Sequence, residues 1–219
     1  MHDATALIFD LDGTLIDSLD DITAALNHAL RAVDRPRVAR ESVRGWIGDG
    51  LPMLCDRAWP DAAEPARGRF IQHVAEAYRA DAATRTRPYP NILKTLELLR
   101  ERNVPMAVLT NKPHDLTTQI LDALDLTKFF RAIHGYVRED EKKPAPKVAL
   151  HIADMLGLEP ARMWMIGDSD VDVMTARNAG MRALAVTWGF RDRAELAALK
   201  PDAVVDEPLK IVAVVERKK

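Results

Sequence analysis

Cysteine is almost absent from this 219-residue sequence. Cys55 stands alone, so no disulfide can close within the chain, and a reducing compartment is the default expectation. No apolar stretch reaches the roughly 18 residues that a membrane-crossing helix needs. The first residues run almost directly into an apolar strand-like segment, so no secretory signal is expected. Neither sign of charge dominates: 31 Lys and Arg face 33 Asp and Glu, a formal net charge of −2. That balance gives no electrostatic case for nucleic acid or for a membrane surface. The six histidines are scattered, and no two have the spacing of a metal-binding pair. There is no internal repeat and no low-complexity segment. These absences lead us to expect a cytoplasmic globular protein whose partner is a small molecule, as a monomer or a homodimer.

With 47% hydrophobic and 29% charged residues, the chain is ordinary for a globular protein and can bury one sizeable core plus a small second domain. Its opening stretch is Ala6-Leu7-Ile8-Phe9 followed by Asp10-Leu11-Asp12-Gly13-Thr14-Leu15. Four uninterrupted apolar residues before a turn signal have the pattern of a strand buried on both faces. Asp10 and Asp12 then start on the same side of the chain. Taken alone, such a D-x-D-G is more often a turn than a site.

Leu19, Ile22, Leu26, Leu30 and Val33 recur at helical spacing, with Asp17 or Ser18 available as N-cap. From about Asp34 to Arg87 the sequence holds four prolines and no strand-like run, and short helices fit best around 41–47, 51–58 and 65–79. Pro88-Tyr89-Pro90 closes that stretch. Afterwards strand and helix patterns alternate: strands near 105–109, 132–135, 163–167, 183–186 and 203–205, with helices between and a last helix from about Leu209. Such alternation implies a parallel sheet with right-handed crossovers. The expected fold is α/β, a Rossmann-like core of residues 1–16 and 88–219 with an inserted all-helical cap of residues 17–87. Glu216 to Lys219 read as a frayed, charged chain end.

Three strands thus end in polar groups: Asp10 and Asp12, Thr110 and Asn111, and Asp168. Asp172 follows one helical turn after Asp168, and Lys143 lies in Lys142-Lys143-Pro144-Ala145-Pro146. In open parallel sheets, ligands bind outside the carboxyl ends of the strands. Four acids gathered there carry a formal charge of about −4, which calls for a cation. Carboxylates without well-placed cysteine or histidine suit a hard ion such as Mg²⁺, and with Lys143 the site suits a phosphate dianion.

These residues carry a family resemblance. Phe9-Asp10-Leu11-Asp12-Gly13-Thr14-Leu15, Leu109-Thr110-Asn111-Lys112, Lys143-Pro144-Ala145-Pro146 and Ile166-Gly167-Asp168-Ser169-Asp170-Val171-Asp172 resemble the four ordered motifs of the haloacid dehalogenase superfamily. The resemblance spans nearly the whole chain, and the helical insertion resembles that superfamily's small cap. It implies that Asp10 attacks phosphorus to form an aspartyl-phosphate. Asp12, whose presence marks phosphate chemistry over dehalogenation, implies a general acid and base. Mg²⁺ is implied between Asp10, the Asp12 carbonyl and Asp168. Asp172 is implied behind the metal waters or Lys143, with Thr110, the Asn111 backbone and Lys143 on the phosphate oxygens.

Within the superfamily, Val43-Arg44-Gly45-Trp46-Ile47-Gly48-Asp49-Gly50, Arg87-Pro88-Tyr89-Pro90 and Thr187-Trp188-Gly189-Phe190 look like the bacterial phosphoglycolate phosphatases. That narrower likeness implies hydrolysis of 2-phosphoglycolate, with Gly48 and Gly50 close to a small ligand and Arg44 facing its carboxylate. The 43–50 loop is equally a plain connection between helices. Gly135-Tyr136-Val137 departs from the usual pattern, and a tyrosine there would alter the size of the pocket. Lys112 leans toward the site, His114 toward capping a helix, and Cys55 toward packing. The alternatives are a phosphosugar mutase with the same site, a phosphatase for another small ester, a receiver-like phospho-acceptor, and a non-catalytic binding protein.

Overall fold

The computed structural model describes residues 5–216, so Met1 to Ala4 and Arg217 to Lys219 lie outside the described residues. In chain order the strands are β1 (Ala6–Phe9), β2 (Ile16–Asp17), β3 (Arg87–Pro88), β4 (Met106–Pro113), β5 (Ala132–Tyr136), β6 (Met163–Gly167), β7 (Arg182–Val186) and β8 (Ala203–Val205). The α-helices are α1 (Leu19–Ala32), α2 (Arg40–Trp46), α3 (Leu51–Ala58), α4 (Ala66–Ala80), α5 (Ile92–Glu101), α6 (His114–Ala123), α7 (Lys147–Leu156), α8 (Asp170–Asn178), α9 (Arg193–Ala198) and α10 (Leu209–Glu216). Among the described residues no helix is long and apolar enough to cross a membrane.

Six strands form one parallel sheet in the order β5-β4-β1-β6-β7-β8, a Rossmann-like α/β core. β1 lies inside it because every residue from Ala6 to Phe9 is apolar and can be buried on either face. Leu7, Phe9, Val108, Ile166 and Leu184 point to one side, where α5, α6 and α10 pack. Ala6, Ile8, Ala107, Leu109 and Met165 point to the other, against α7 and α8. Each fully buried side chain of the size of Leu or Phe contributes about 1.5–3 kcal/mol of burial. From β1 the sheet grows outward through β4 to β5; the chain then returns to the other side of β1 as β6. The crevice at that reversal, beyond the carboxyl ends of β1, β4 and β6, is where such sheets take ligands.

Residues 19–80 contribute α1–α4 and no strand. Their core is Leu26, Leu30, Leu54, Cys55, Phe70 and Val74, with the Trp59 and Phe70 rings edge to face at 5.4 Å. The chain leaves and rejoins the sheet through a two-stranded antiparallel ribbon, Ile16 opposite Pro88 and Asp17 opposite Arg87. The sequence pattern did not reveal this ribbon, since two residues per strand carry no periodicity. Asp21 of α1, fully buried, anchors it by accepting from Arg85 N, from Thr86 N at 2.8 Å and from Thr86 Oγ1 at 2.7 Å.

Three local expectations need correction. Ser18 occupies the N-cap position of α1 but makes no side-chain cap; its hydroxyl is drawn to Asp12 instead, and Asp17 Oδ1 takes Leu19 N at 3.2 Å. The 105–109 strand continues to Pro113, because its polar end is held by side-chain and neighbouring-strand bonds rather than released into a turn. Glu216 is not frayed; its carboxylate pairs with Arg102 of α5. The short α9, initiated by an Asp192–Glu195 capping box, is an addition to the sequence reading.

Candidate active site

Asp10 is the first residue beyond β1, and its N–H continues the ladder to Ile166 O at 2.8 Å. Gly13 then turns the chain at φ +85°, and a side chain there would run into the Asp168 carboxylate. The glycine is therefore required twice, by its backbone angle and by this close approach. The turn returns through Leu15 N and Ile16 N to Leu11 O, which stacks Asp10 and Asp12 beside the ends of β4 and β6.

Lys143 is the hub. Its ammonium, 3% exposed, donates to Asp10 Oδ1 at 2.7 Å and to Asp172 Oδ1 at 2.6 Å. Its backbone is fixed by Asn111, whose Oδ1 accepts from Lys143 N at 2.7 Å while Nδ2 donates to Lys143 O at 3.0 Å. The same Nδ2 donates to Gly48 O at 3.0 Å, tying the α2–α3 loop to the sheet. Asp172 is oriented from behind: its Oδ2 accepts from Ser169 N and, at 2.6 Å, from Ser169 Oγ, the capping box of α8. Asp168 accepts from Phe190 N at 2.7 Å and from Thr14 Oγ1 at 3.3 Å.

The electrostatics follow from burial. Desolvation pushes the Asp10 carboxyl up to about 7, with Lys143 opposing and Asp172 and Asp12 adding to the rise. Asp168 is pushed up to about 8, again by burial, with Asp10 and Asp172 reinforcing it. Burial alone would lower the Lys143 ammonium, but Asp10 and Asp172 outweigh it and hold it charged. One lysine does not balance this many acids. Asp10, Asp168 and Asp172 each offer a buried carboxylate oxygen within 4.8 Å of the others, an all-oxygen donor set that fits a hard divalent cation.

Asp12 faces differently. Its Oδ1 accepts from Ser18 Oγ at 2.5 Å and its Oδ2 from Lys112 Nζ at 2.8 Å, leaving its side chain outside the three-carboxylate cluster. Lys112 also donates to the Tyr78 hydroxyl of α4 at 2.7 Å and sits 4.4 Å from that ring's centre. Burial lowers the Lys112 ammonium's affinity for its proton, but Asp12 and Tyr78 more than restore it. Thr110 Oγ1 accepts from Lys112 N at 3.2 Å, which leaves the threonine's own hydrogen for another acceptor.

A cavity opens between the sheet end and α1–α4. Asp10, Asp12, Thr110, Asn111, Lys112, Asp168 and Ser169 form its polar floor, and Ile22, Leu51, Leu54, Val74 and Tyr78 its apolar roof. Gly48 and Gly50 also line it; a side chain on Gly50 would lie 3.1 Å from the Asn111 carbonyl, so the close approach is to the chain's own backbone. Arg44 is not where the sequence reading put it. Its guanidinium donates to Phe190 O and Gly189 O, both at 3.1 Å, outside the cavity lining, because two carbonyls of the β7–α9 loop satisfy it. Arg191 reciprocates onto Ile47 O at 3.0 Å and reaches the cavity. Tyr136 does not line the cavity either; it is half-buried under Lys142. His114 starts α6 but caps nothing, and its Nδ1 accepts from Gly135 N at 3.3 Å.

Sequence reasoning brought Asp10, Asp12, Thr110, Asn111, Lys143, Asp168 and Asp172 to one edge, and the structure assembles all seven there. It leaned toward placing Lys112 at the site, and it did not count Ser18, Ser169, Tyr78 or Arg191 there. Lys112 had a signal: two residues past Thr110 along a strand, it shares that residue's side. Tyr78 had none, because only tertiary packing carries α4 over the sheet.

Residues 7–186 match the family described as haloacid dehalogenase-like hydrolase. Phosphoglycolate phosphatase 1 of Pseudomonas aeruginosa is 37% identical over 206 residues, which cover 91% of this chain and 75% of that protein. The phosphoglycolate phosphatase of Vibrio parahaemolyticus is 32% identical, covering 97% of this chain and 98% of the other. Among solved structures, a predicted phosphoglycolate phosphatase from Haemophilus somnus 129PT superposes with a TM-score of 0.92 at 30% identity, covering 99% of this chain and 100% of that one. With the crevice, the ordered acids and these likenesses together, the chain belongs to the haloacid dehalogenase-like hydrolases and is an enzyme of the phosphoric monoester hydrolase type.

Proposed function

We propose that the enzyme hydrolyses a small phosphorylated metabolite, 2-phosphoglycolate before others, to the alcohol and orthophosphate through an aspartyl-phosphate. The observation that carries this reading is Lys143 joining Asp10 to Asp172 at the mouth of β1, with Asp168 alongside. Asp10 attacks phosphorus in line, forming the Asp10–phosphorus bond as the ester P–O bond breaks, so one difficult displacement becomes two. Asp12, as acid, gives its proton to the leaving oxygen; as base, it takes one from the water that later cleaves the acyl phosphate. Thr110 Oγ1, the Asn111 N–H and Lys143 Nζ hold the equatorial phosphate oxygens, where charge collects in phosphoryl transfer. Asp172 positions Lys143.

The carboxylates of Asp10 and Asp168 and the carbonyl of Asp12 are the groups that would hold Mg²⁺. When bound, the ion supplies positive charge that offsets the acids and the phosphate dianion. Residues 17–87 act as the cap, with the ribbon of β2 and β3 as hinge; the apolar roof excludes water from the reacting phosphate.

The test is orthophosphate release from a panel of small phosphate esters with Mg²⁺, beside Asp10→Asn and a chelator control. Release fastest from 2-phosphoglycolate, falling roughly a thousandfold or more in Asp10→Asn, is the expected result. Transfer of the phosphoryl group to a sugar hydroxyl without net release would instead indicate a mutase.

A further inference from the structure

Among the described residues that line the cavity, two are cationic, Lys112 and Arg191. Arg191 is committed to the carbonyls of Arg44 and Ile47, where it holds the helical segment against the β7–α9 loop. Lys112 is different. Its side chain is 3% exposed, beneath a roof of Ile22, Leu54 and Val74, and a cation in such surroundings must be paired. Its present partners are Asp12 Oδ2 at 2.8 Å and the Tyr78 hydroxyl at 2.7 Å. An ammonium has three N–H donors, and these contacts use two. Tyr78, which accepts from Lys112, keeps its own O–H hydrogen for an acceptor in the cavity.

Resting on the phosphomonoesterase reading above, we propose that Lys112 and Tyr78 together grip a second anionic group, a carboxylate, on the substrate, and that this grip draws Lys112 away from Asp12. The pair supplies two adjacent donors from opposite sides of the cavity, one from β4 and one from α4. A carboxylate accepts two such donors at once, and charge-assisted bonds of this kind are the strong ones. The consequence reaches the chemistry. Both oxygens of Asp12 are engaged, Oδ1 by Ser18 and Oδ2 by Lys112. When the substrate carboxylate takes over the ammonium, Oδ2 is freed to exchange a proton with the leaving oxygen and then with water. An ester of the same size without the carboxylate leaves Lys112 on Asp12. Substrate choice and the readiness of Asp12 are thereby one event. Lys112 and Tyr78 are specificity residues, and through Asp12 Lys112 is also a positioning residue.

The experiment compares 2-phosphoglycolate with 2-hydroxyethyl phosphate, its counterpart without the carboxylate, in the wild type, Lys112→Met, Lys112→Arg, Tyr78→Phe and Arg191→Met. The unreactive pair 3-phosphonopropionate and propylphosphonate is measured as inhibitors alongside. The expected result is a wild-type preference for the acid-bearing member of each pair that shrinks about 10- to 100-fold in Lys112→Met. Lys112→Arg recovers part of it, and Tyr78→Phe, which removes one hydroxyl, shrinks it by a smaller factor. Should Lys112→Met not fold, Tyr78→Phe and Lys112→Arg carry the comparison. A preference that survives in these variants while activity on both esters falls equally overturns the proposal and makes Lys112 a structural prop for Asp12. So does a preference that vanishes in Arg191→Met instead. Wild-type enzyme that releases phosphate from no ester overturns the phosphatase reading itself, and this inference with it.

Discussion

Replacing Lys143 by methionine removes the buried cation at the centre of the site while keeping most of its volume. The structure sets the scale of the effect. The ammonium is 3% exposed and lies 2.7 Å from Asp10 and 2.6 Å from Asp172, whose side chains are 9% and 2% exposed. Removing one partner of a buried ion pair costs about 3–5 kcal/mol, because the surviving charge stays buried without compensation. Two carboxylates lose their cation here, so the upper half of that range is expected. For a chain of this size each kcal/mol lowers the melting temperature by about 2–4 °C, which gives a fall of roughly 8–20 °C. The assay is calorimetric melting without divalent ions, repeated with excess Mg²⁺, which should narrow the gap by supplying positive charge. Adding Asp172→Asn to Lys143→Met should also recover stability, since it removes one of the two stranded charges. Activity falls in both. A Lys143→Met protein that melts where the wild type does, or a double variant less stable than the single one by the full cost of Asp172→Asn alone, would refute the idea that these charges are coupled.

Three further predictions concern the metal, the closure and the lone thiol. Saturation with Mg²⁺ at about a hundred times its dissociation constant should stabilise the wild type by about 2.7 kcal/mol, a rise of roughly 5–11 °C in melting temperature. Asp168→Asn should abolish most of that rise, and an undiminished shift would place the ion elsewhere. Arg44→Met removes two hydrogen bonds from α2 to the β7–α9 loop and should speed proteolysis within residues 37–66 and raise KM. Unchanged cleavage kinetics and KM would show that this arginine does not hold the segment closed. Cys55 is fully buried, and burial with Asp56 beside it pushes its thiol up to about 12. It should resist a maleimide at neutral pH until the protein unfolds, then react once per chain; rapid labelling of the native protein would contradict the packing of α3 on α4.

Some of the fold was legible because its signals are local. The runs Ala6 to Phe9, Met106 to Leu109 and Met163 to Ile166 declare strands buried on both faces, and each of these three strands lies within a few residues of its expected place. The ribbon of β2 and β3 was not legible, since two-residue strands are defined by their pairing across the 69 residues that separate Asp17 from Arg87, far beyond the reach of a local pattern. Ser18 shows the same divide on a smaller scale. As a residue before a helix it reads as a cap, yet its hydroxyl goes to Asp12, a stronger acceptor brought near by the Gly13 turn.

The sequence by itself determined the chemistry's raw material. Apolar runs choose the strands, strand direction puts Asp10, Thr110, Asn111 and Asp168 at one end, and helical spacing turns Asp172 toward them. Only the tertiary structure decided which donor meets which acceptor. Arg44 spends its guanidinium on the carbonyls of Gly189 and Phe190, and Lys112 is caught between Asp12 and a tyrosine from α4. The physical reason is range. Periodicity and turn chemistry act over a few residues and survive in a one-dimensional reading, whereas a buried charge selects its partner by distance in space. That distance exists only once α1–α4 have closed over the sheet.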